Sequence, residues 1–150
     1  MQDDHGFIWD AMLRTAALDL AGLTVLDIGC NQGGFLRLVA DRFPIKSGCG
    51  YDPAAGAVDR AKQLCAERPI EYVVAESLPE GWTDFDVAFS HEVLYLLHDL
   101  PGHAAAVRQA LRAGANYFAV MGTHDRNPLT ARWQRELAKT MDVPPIYSLD

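Results

Sequence analysis

Hydrophobic positions along this chain change period several times. Over residues 6–20, Phe7, Met12 with Leu13, Ala16 with Ala17, and Leu20 recur at the three-to-four spacing of one helix face. A short apolar run, LTVLDIG at 23–29, follows and ends in a turn, the pattern of a buried strand. Residues 34–42 return to helical spacing, and Pro44 closes them off. KSGCGYD at 46–52 is a weaker strand. Pro53 opens a helical stretch through Glu67, since proline in a first helical turn gives up an N–H that had no partner there. IEYVVA at 70–75 is rich in β-formers, 78–83 is a loop, and FDVAFS at 85–90 is the next strand. Two helical stretches are expected at 93–100 and 102–113, with Gly114 as the C-terminal cap of the second. A fifth strand is expected at 116–122 and a last helix at 129–141.

Strands alternating with helices predict an α/β protein with a doubly wound, mostly parallel sheet covered on both faces. The chain is read as one domain over 1–150: a helical segment at 1–22, a core at 23–122, and a helix and tail at 123–150. In such a sheet a ligand lies at the carboxyl ends of the strands, near the point where strand order reverses. The loops after residues 28, 51, 75, 90 and 122 are therefore the ones that carry function.

The first of these reads V-L-D-I-G-C-N-Q-G-G-F, residues 25–35. A dinucleotide site wants G-x-G-x-x-G, whose middle glycine lets a pyrophosphate approach the backbone. Here Asn31 stands in that region, between Gly29 and the pair Gly33–Gly34, and the strand ends in a carboxylate, Asp27. An anion beside a pyrophosphate is repulsive, but beside a sulfonium and an ammonium it is favourable. The turn suits a cationic nucleoside better than a diphosphate.

This run, LDIGCNQGGF, resembles the glycine-rich motif of class I S-adenosylmethionine-dependent methyltransferases, with Asn31 replacing the central glycine. A second stretch, F-D-V-A-F-S-H-E-V-L-Y-L-L at 85–97, is similar to the fourth-strand region of small-molecule methyltransferases. The likeness covers about 23–122. It implies a Rossmann-like fold, S-adenosyl-L-methionine as cofactor, and in-line transfer of a methyl group to a small-molecule acceptor. It also implies cofactor contacts from Asp27, Gly29, Cys30, Asn31 and Gly33 in the first loop, and from Ser90 and His91 in the fourth. Asp52, 23 residues after Gly29, would accept from both ribose hydroxyls, or would cap the helix begun at Pro53. Tyr51 is either an adenosine-packing ring or a core aromatic. Glu76 with Ser77 matches the adenine-binding position, though the loop is about two residues shorter than usual before Leu78–Pro79. Glu92 is expected to help start the following helix. Ser-His-Glu-Val at 90–93 is not the Asn/Asp-Pro-Pro-Tyr/Phe of nucleic-acid amino-methyltransferases.

A general base is needed only if the acceptor must lose a proton, and His91 and His124 are the candidates. His91 is read first as a packing residue at the cofactor and second as a base, His124 equally as either. His98 and His103 are expected to be solvated. Trp133 is a candidate substrate wall, and Phe7 and Trp9 belong to a segment that either folds over the acceptor pocket or packs on the sheet. Relatives continue past the fifth strand with a helix and an antiparallel hairpin. The helix at 129–141 matches the first of these, but no room is left before residue 150 for the hairpin, so the hairpin is expected to be missing or abbreviated and the fifth strand to be an edge, which leaves a homodimer open.

Charge and composition narrow the partners. A formal net charge of -7 disfavours nucleic acid, which needs a basic surface. No apolar run reaches the ~20 residues of a membrane span, and the acidic start is unlike a signal peptide, so no membrane partner and a cytoplasmic location are expected. The three cysteines form no C-x-x-C pair, and no cluster has metal-ligand spacing. Two competitors of other classes remain: a non-catalytic cofactor-binding or scaffold protein of the same fold, and a nicotinamide-dependent oxidoreductase.

Overall fold

The computed structural model describes residues 5–146. Five parallel strands form one sheet: β1 Thr24–Ile28, β2 Ser47–Asp52, β3 Ile70–Val74, β4 Phe85–His91 and β5 Leu111–Val120. Their order is β3-β2-β1-β4-β5, so the order reverses between β1 and β4. Both neighbours of β1 end beside the glycine-rich turn, which places that turn at the switch point.

Side chains alternate across each strand and divide the core in two. On one face Val25, Val87 and Phe89 pack with α1 (Gly6–Ala16), α2 (Gly34–Arg42) and α3 (Ala55–Cys65) through Met12, Leu36, Val39, Val58 and Ala61. On the other, Leu26, Ile28 and Ala88 meet Val107 and Ala110 of α4 (Leu100–Ala110). The β3–β4 connection has no helix; Leu78 and Trp82 of its loop cover that face instead. α5 (Pro128–Leu137) follows β5, which pairs with β4 alone among the described strands. No helix among the described residues is long and apolar enough to cross a membrane.

Several elements differ from the sequence expectation; α1 ends at Ala16 rather than at 20, and β5 spans Leu111–Val120 rather than 116–122. The stretch at 93–100 is not a helix but a 3₁₀ turn at Leu94–Leu96, because Glu92 enters a left-handed conformation and Asp99 then caps α4 by accepting from the Gly102 N–H at 2.9 Å. Gly114 does not end α4, which stops at Ala110; it lies inside β5 with φ +81, where β4 advances from Phe85 to Val87 while β5 advances from Leu111 to Asn116. Such a bulge uses glycine because positive φ carries no penalty there. The last helix ends at Leu137 rather than 141.

Candidate cofactor and active site

The turn after β1 is folded first by its backbone. The N–H groups of Gly29 and Cys30 both donate to the Tyr51 carbonyl at 3.0 Å, and Gly33 N–H donates to Cys30 O at 2.8 Å. Asn31 has φ +46, and asparagine is among the few side chains that enter this region readily, which accounts for its place where the motif this turn resembles has glycine. Gly33 has φ +70 and a second constraint: a Cβ there would collide with the Tyr72 ring. The Tyr72 hydroxyl donates to the Gly33 carbonyl at 2.9 Å, reaching from β3 across Gly50 of β2. Sequence reading missed Tyr72; the small residues at 33 and 50 were the only trace of it.

Two carboxylates face this turn. Asp27 is 5% exposed and its Oδ2 has no partner among the described residues. Burial, and then the nearby Asp52, push its pKa well above the usual carboxylate range. Asp52 accepts from Asn31 N–H at 3.0 Å on one oxygen and from Ala54 N–H at 2.9 Å on the other. It thus holds the turn shut and at the same time ties down Ala54, the N-cap of α3, whose own side chain offers no cap. Each carboxylate oxygen retains a lone pair for a ligand hydroxyl.

Other expected site residues divide into two groups. Cys30 is buried against Gly50, and its thiol is pushed up by burial and then by Asp27 and Asp52. Tyr51 does not present its ring to the crevice: it is buried against Trp82, centroids 6.3 Å apart, so the core reading is the observed one. Ser90 also turns away, to the α4 face, where its hydroxyl lies 2.8 Å from that of Tyr117 and is 1% exposed. His103 completes that chain at 3.1 Å from the Tyr117 hydroxyl, and is half-buried rather than solvated. Glu76 and Ser77 are exposed just beyond β3.

His91 ends β4 half-buried, with its ring 5.4 Å from that of His5 before α1. Burial lowers its pKa, so it is a neutral acceptor near neutrality; Glu92 opposes that shift and His5 adds to it. Trp9 packs over Gly34 and against Phe35, so α1 lies beside the turn. His124, after β5, has a buried Nδ1 without a partner among the described residues. Glu92 does not start a helix; its carboxylate accepts from Gly122 N–H and the Thr123 hydroxyl. Trp133 is about half exposed and meets Tyr95 edge-on at 5.5 Å. His98 is exposed, 3.8 Å from an Asp142 oxygen. Among the described residues no group of three or more His, Cys, Asp or Glu could hold a metal ion.

A family model described as a methyltransferase domain matches residues 2–146. The chain belongs to the methyltransferase domain family. A ubiquinone biosynthesis O-methyltransferase of Pseudomonas paraeruginosa is 32% identical over 112 residues, 73% of this chain and 47% of that protein. A tRNA U34 carboxymethyltransferase of Campylobacter concisus is 33% identical over 105 residues, 67% of this chain and 36% of that protein. The chain thus spans about half or less of these relatives. The solved structure of an S-adenosylmethionine dependent methyltransferase from Mesorhizobium loti superposes with a TM-score of 0.67 at 27% identity, covering 77% of this chain and 52% of that one.

The methyltransferase domain has the class I fold, and the residues at its turn fit the family's cofactor. Asp27 is the decisive one: a buried carboxyl with an unpartnered oxygen beside the glycine turn is held protonated by its burial, and a cation there would complete its charged form whereas a phosphate would oppose it. The expectation against nucleic acid gains no support, since one relative acts on tRNA and net charge does not describe a local surface.

Proposed function

We propose that this methyltransferase domain binds S-adenosylmethionine at the β1 turn and serves transfer of its methyl group to a small-molecule acceptor. The observation that carries the reading is the unpartnered Asp27 oxygen at the switch point. The cofactor, when bound, supplies an activated methyl on a cationic sulfur. Asp27 faces the charged amino acid end, Asp52 accepts from the ribose hydroxyls, and Glu76 with the Ser77 backbone faces the adenine edge. The backbone of Gly29, Asn31 and Gly33 lines the turn. Ser90 serves through its backbone, because its hydroxyl is spent on Tyr117. His91 borders the reacting end and, being neutral, accepts a proton from a hydroxyl acceptor if one must leave; His124 stands second in that role. Most of the work of these residues is alignment and exclusion of water.

The O-methyltransferase relative supports a hydroxyl-bearing acceptor, and the tRNA relative supports a second reading in which the acceptor is an RNA base. Titration calorimetry with S-adenosylhomocysteine and, separately, with NAD tests the cofactor. One-to-one binding of the first and no heat with the second is expected. NAD binding with no response to the thioether overturns the proposal.

A further inference from the structure

Beyond the last ladder pair of β4 and β5, His91 with Val120, one residue carries the connection between the two loops that flank the crevice. Glu92 has φ +55, a conformation that a residue with a Cβ adopts against a steric penalty and keeps where its surroundings demand it. Its N–H donates to Val120 O at 2.8 Å. One carboxylate oxygen accepts from Gly122 N–H at 2.5 Å, the other from the Thr123 hydroxyl at 3.3 Å. Gly122 is held on its other side too, because its carbonyl accepts from the Thr130 hydroxyl at 2.8 Å and the Asn127 amide at 3.0 Å. A Cβ at 122 would lie 2.9 Å from the Glu92 oxygen, so glycine permits the approach. Thr123 is buried, and the residue after it is His124, with its orphaned Nδ1.

The residues on either side of Glu92 extend the pattern. His91 meets His5, and Val93 packs where a Cβ on Gly29 would stand. Three consecutive residues thus touch the residue that precedes α1, the β5 loop and the cofactor turn. We propose that Glu92 is a positioning residue: its carboxylate fixes the β5 loop, and with it His124, relative to the cofactor turn. The loop could be kept on the sheet by α5 alone; the carboxylate adds a defined distance from the floor of the crevice. Both of its oxygens accept, from an N–H and from an O–H, which a hydrocarbon side chain cannot imitate and an amide imitates in part.

The functional consequence rests on the methyltransferase reading, but the clamp itself is measured without turnover. Glu92→Gly removes the carboxylate while keeping the left-handed backbone unstrained, and Glu92→Gln keeps one acceptor for Gly122. In the full chain, amide exchange at Gly122 should quicken at least tenfold in Glu92→Gly and recover most of its protection in Glu92→Gln. The ring resonances of His124 should shift in the first variant and stay near their original place in the second, while affinity for S-adenosylhomocysteine changes less than threefold in both. Unmoved exchange and unmoved His124 signals in Glu92→Gly overturn the proposal. So does faster exchange spread evenly over the sheet, which marks a merely structural role. If Glu92→Gly does not fold, Thr123→Val removes one donor at constant volume: a shifted His124 supports the clamp, an unshifted one overturns it. Failure of the unaltered protein to bind S-adenosylhomocysteine refutes the cofactor assignment and leaves the exchange result standing.

Discussion

The two halves of the crevice draw on packing and on polar ties in different measure. On the β1–β2–β3 side, buried groups press against glycines: Tyr72 crosses Gly50 to reach Gly33, Cys30 fills the space over Gly50, and the turn closes on the Tyr51 carbonyl. On the β4–β5 side, polar side chains reach backbone groups: Glu92, Asn127 and Thr130 converge on Gly122, and Gln134 donates to Pro144 O at 2.9 Å. Close packing has few tolerated alternatives, whereas single hydrogen bonds contribute modestly and can be exchanged. The half assigned to the shared cofactor is therefore the rigid one, and the half assigned to the acceptor can change without rebuilding the core.

The strongest way to break this contrast is to add one methyl group to the rigid half. In Gly33→Ala the new Cβ meets the Tyr72 ring, and φ +70 is itself unfavourable for alanine. Overpacking and backbone strain together should destabilise the fold by about 3 kcal/mol. Chemical denaturation followed by circular dichroism measures this, and calorimetry should show S-adenosylhomocysteine binding weakened more than tenfold. A variant of wild-type stability would mean that the Tyr72 wall yields, and that the cofactor half is not rigid.

Asp27→Asn separates stability from binding on the same side. The folded protein holds a proton on Asp27 at a pH where the unfolded chain has released it, because burial and Asp52 raise its pKa. Between the ordinary carboxylate pKa and that raised value the folded state binds more protons, so this group's contribution to stability falls as pH rises. Asp27→Asn should remove that slope and leave the ligand-free protein more stable than wild type at mildly alkaline pH. It should also weaken binding of the cationic cofactor by roughly 1.5–3 kcal/mol, the range for a hydrogen bond to a charged group. Parallel stability–pH profiles for the two proteins would remove the argument from a buried carboxyl at Asp27.

The sequence disclosed the rigid half far better than the adaptable one, and for a physical reason. A buried strand ending in Asp27 and a run of glycines is a local pattern, so the turn, its carboxylate and the partner at Asp52 were all visible. Tyr72 was not, since alternation marks it only as a strand residue and its target lies 39 positions away. Around β4 the local signals pointed elsewhere. VLYLLHDL has helical spacing, but Glu92 is drawn to the β5 loop and the segment closes as one 3₁₀ turn. His103 beside Pro101 looks solvated until β5 brings Tyr117 to it. Ser90 and Tyr51 were read as cofactor contacts from their strand ends alone, yet the parity of each strand turns their side chains to the α4 face.

The smallest expected effect sharpens the comparison from the adaptable side. Asn127 accepts from Thr130 N–H at 3.5 Å as the N-cap of α5 and donates to the Gly122 carbonyl at 3.0 Å. Asn127→Ala loses both, but the Thr130 hydroxyl still holds that carbonyl at 2.8 Å, so the loop keeps an anchor. Loss of an N-cap of this kind should lower stability by about 1 kcal/mol. Since α5 carries Trp133 against Tyr95, tryptophan fluorescence should report a local loosening at lower denaturant than the sheet itself unfolds. Affinity for S-adenosylhomocysteine should stay unchanged, because no bond of Asn127 reaches the β1 turn. An Asn127→Ala protein that lost cofactor binding as severely as Gly33→Ala would show the two halves to be a single cooperative unit, with packing and polar ties equally strict.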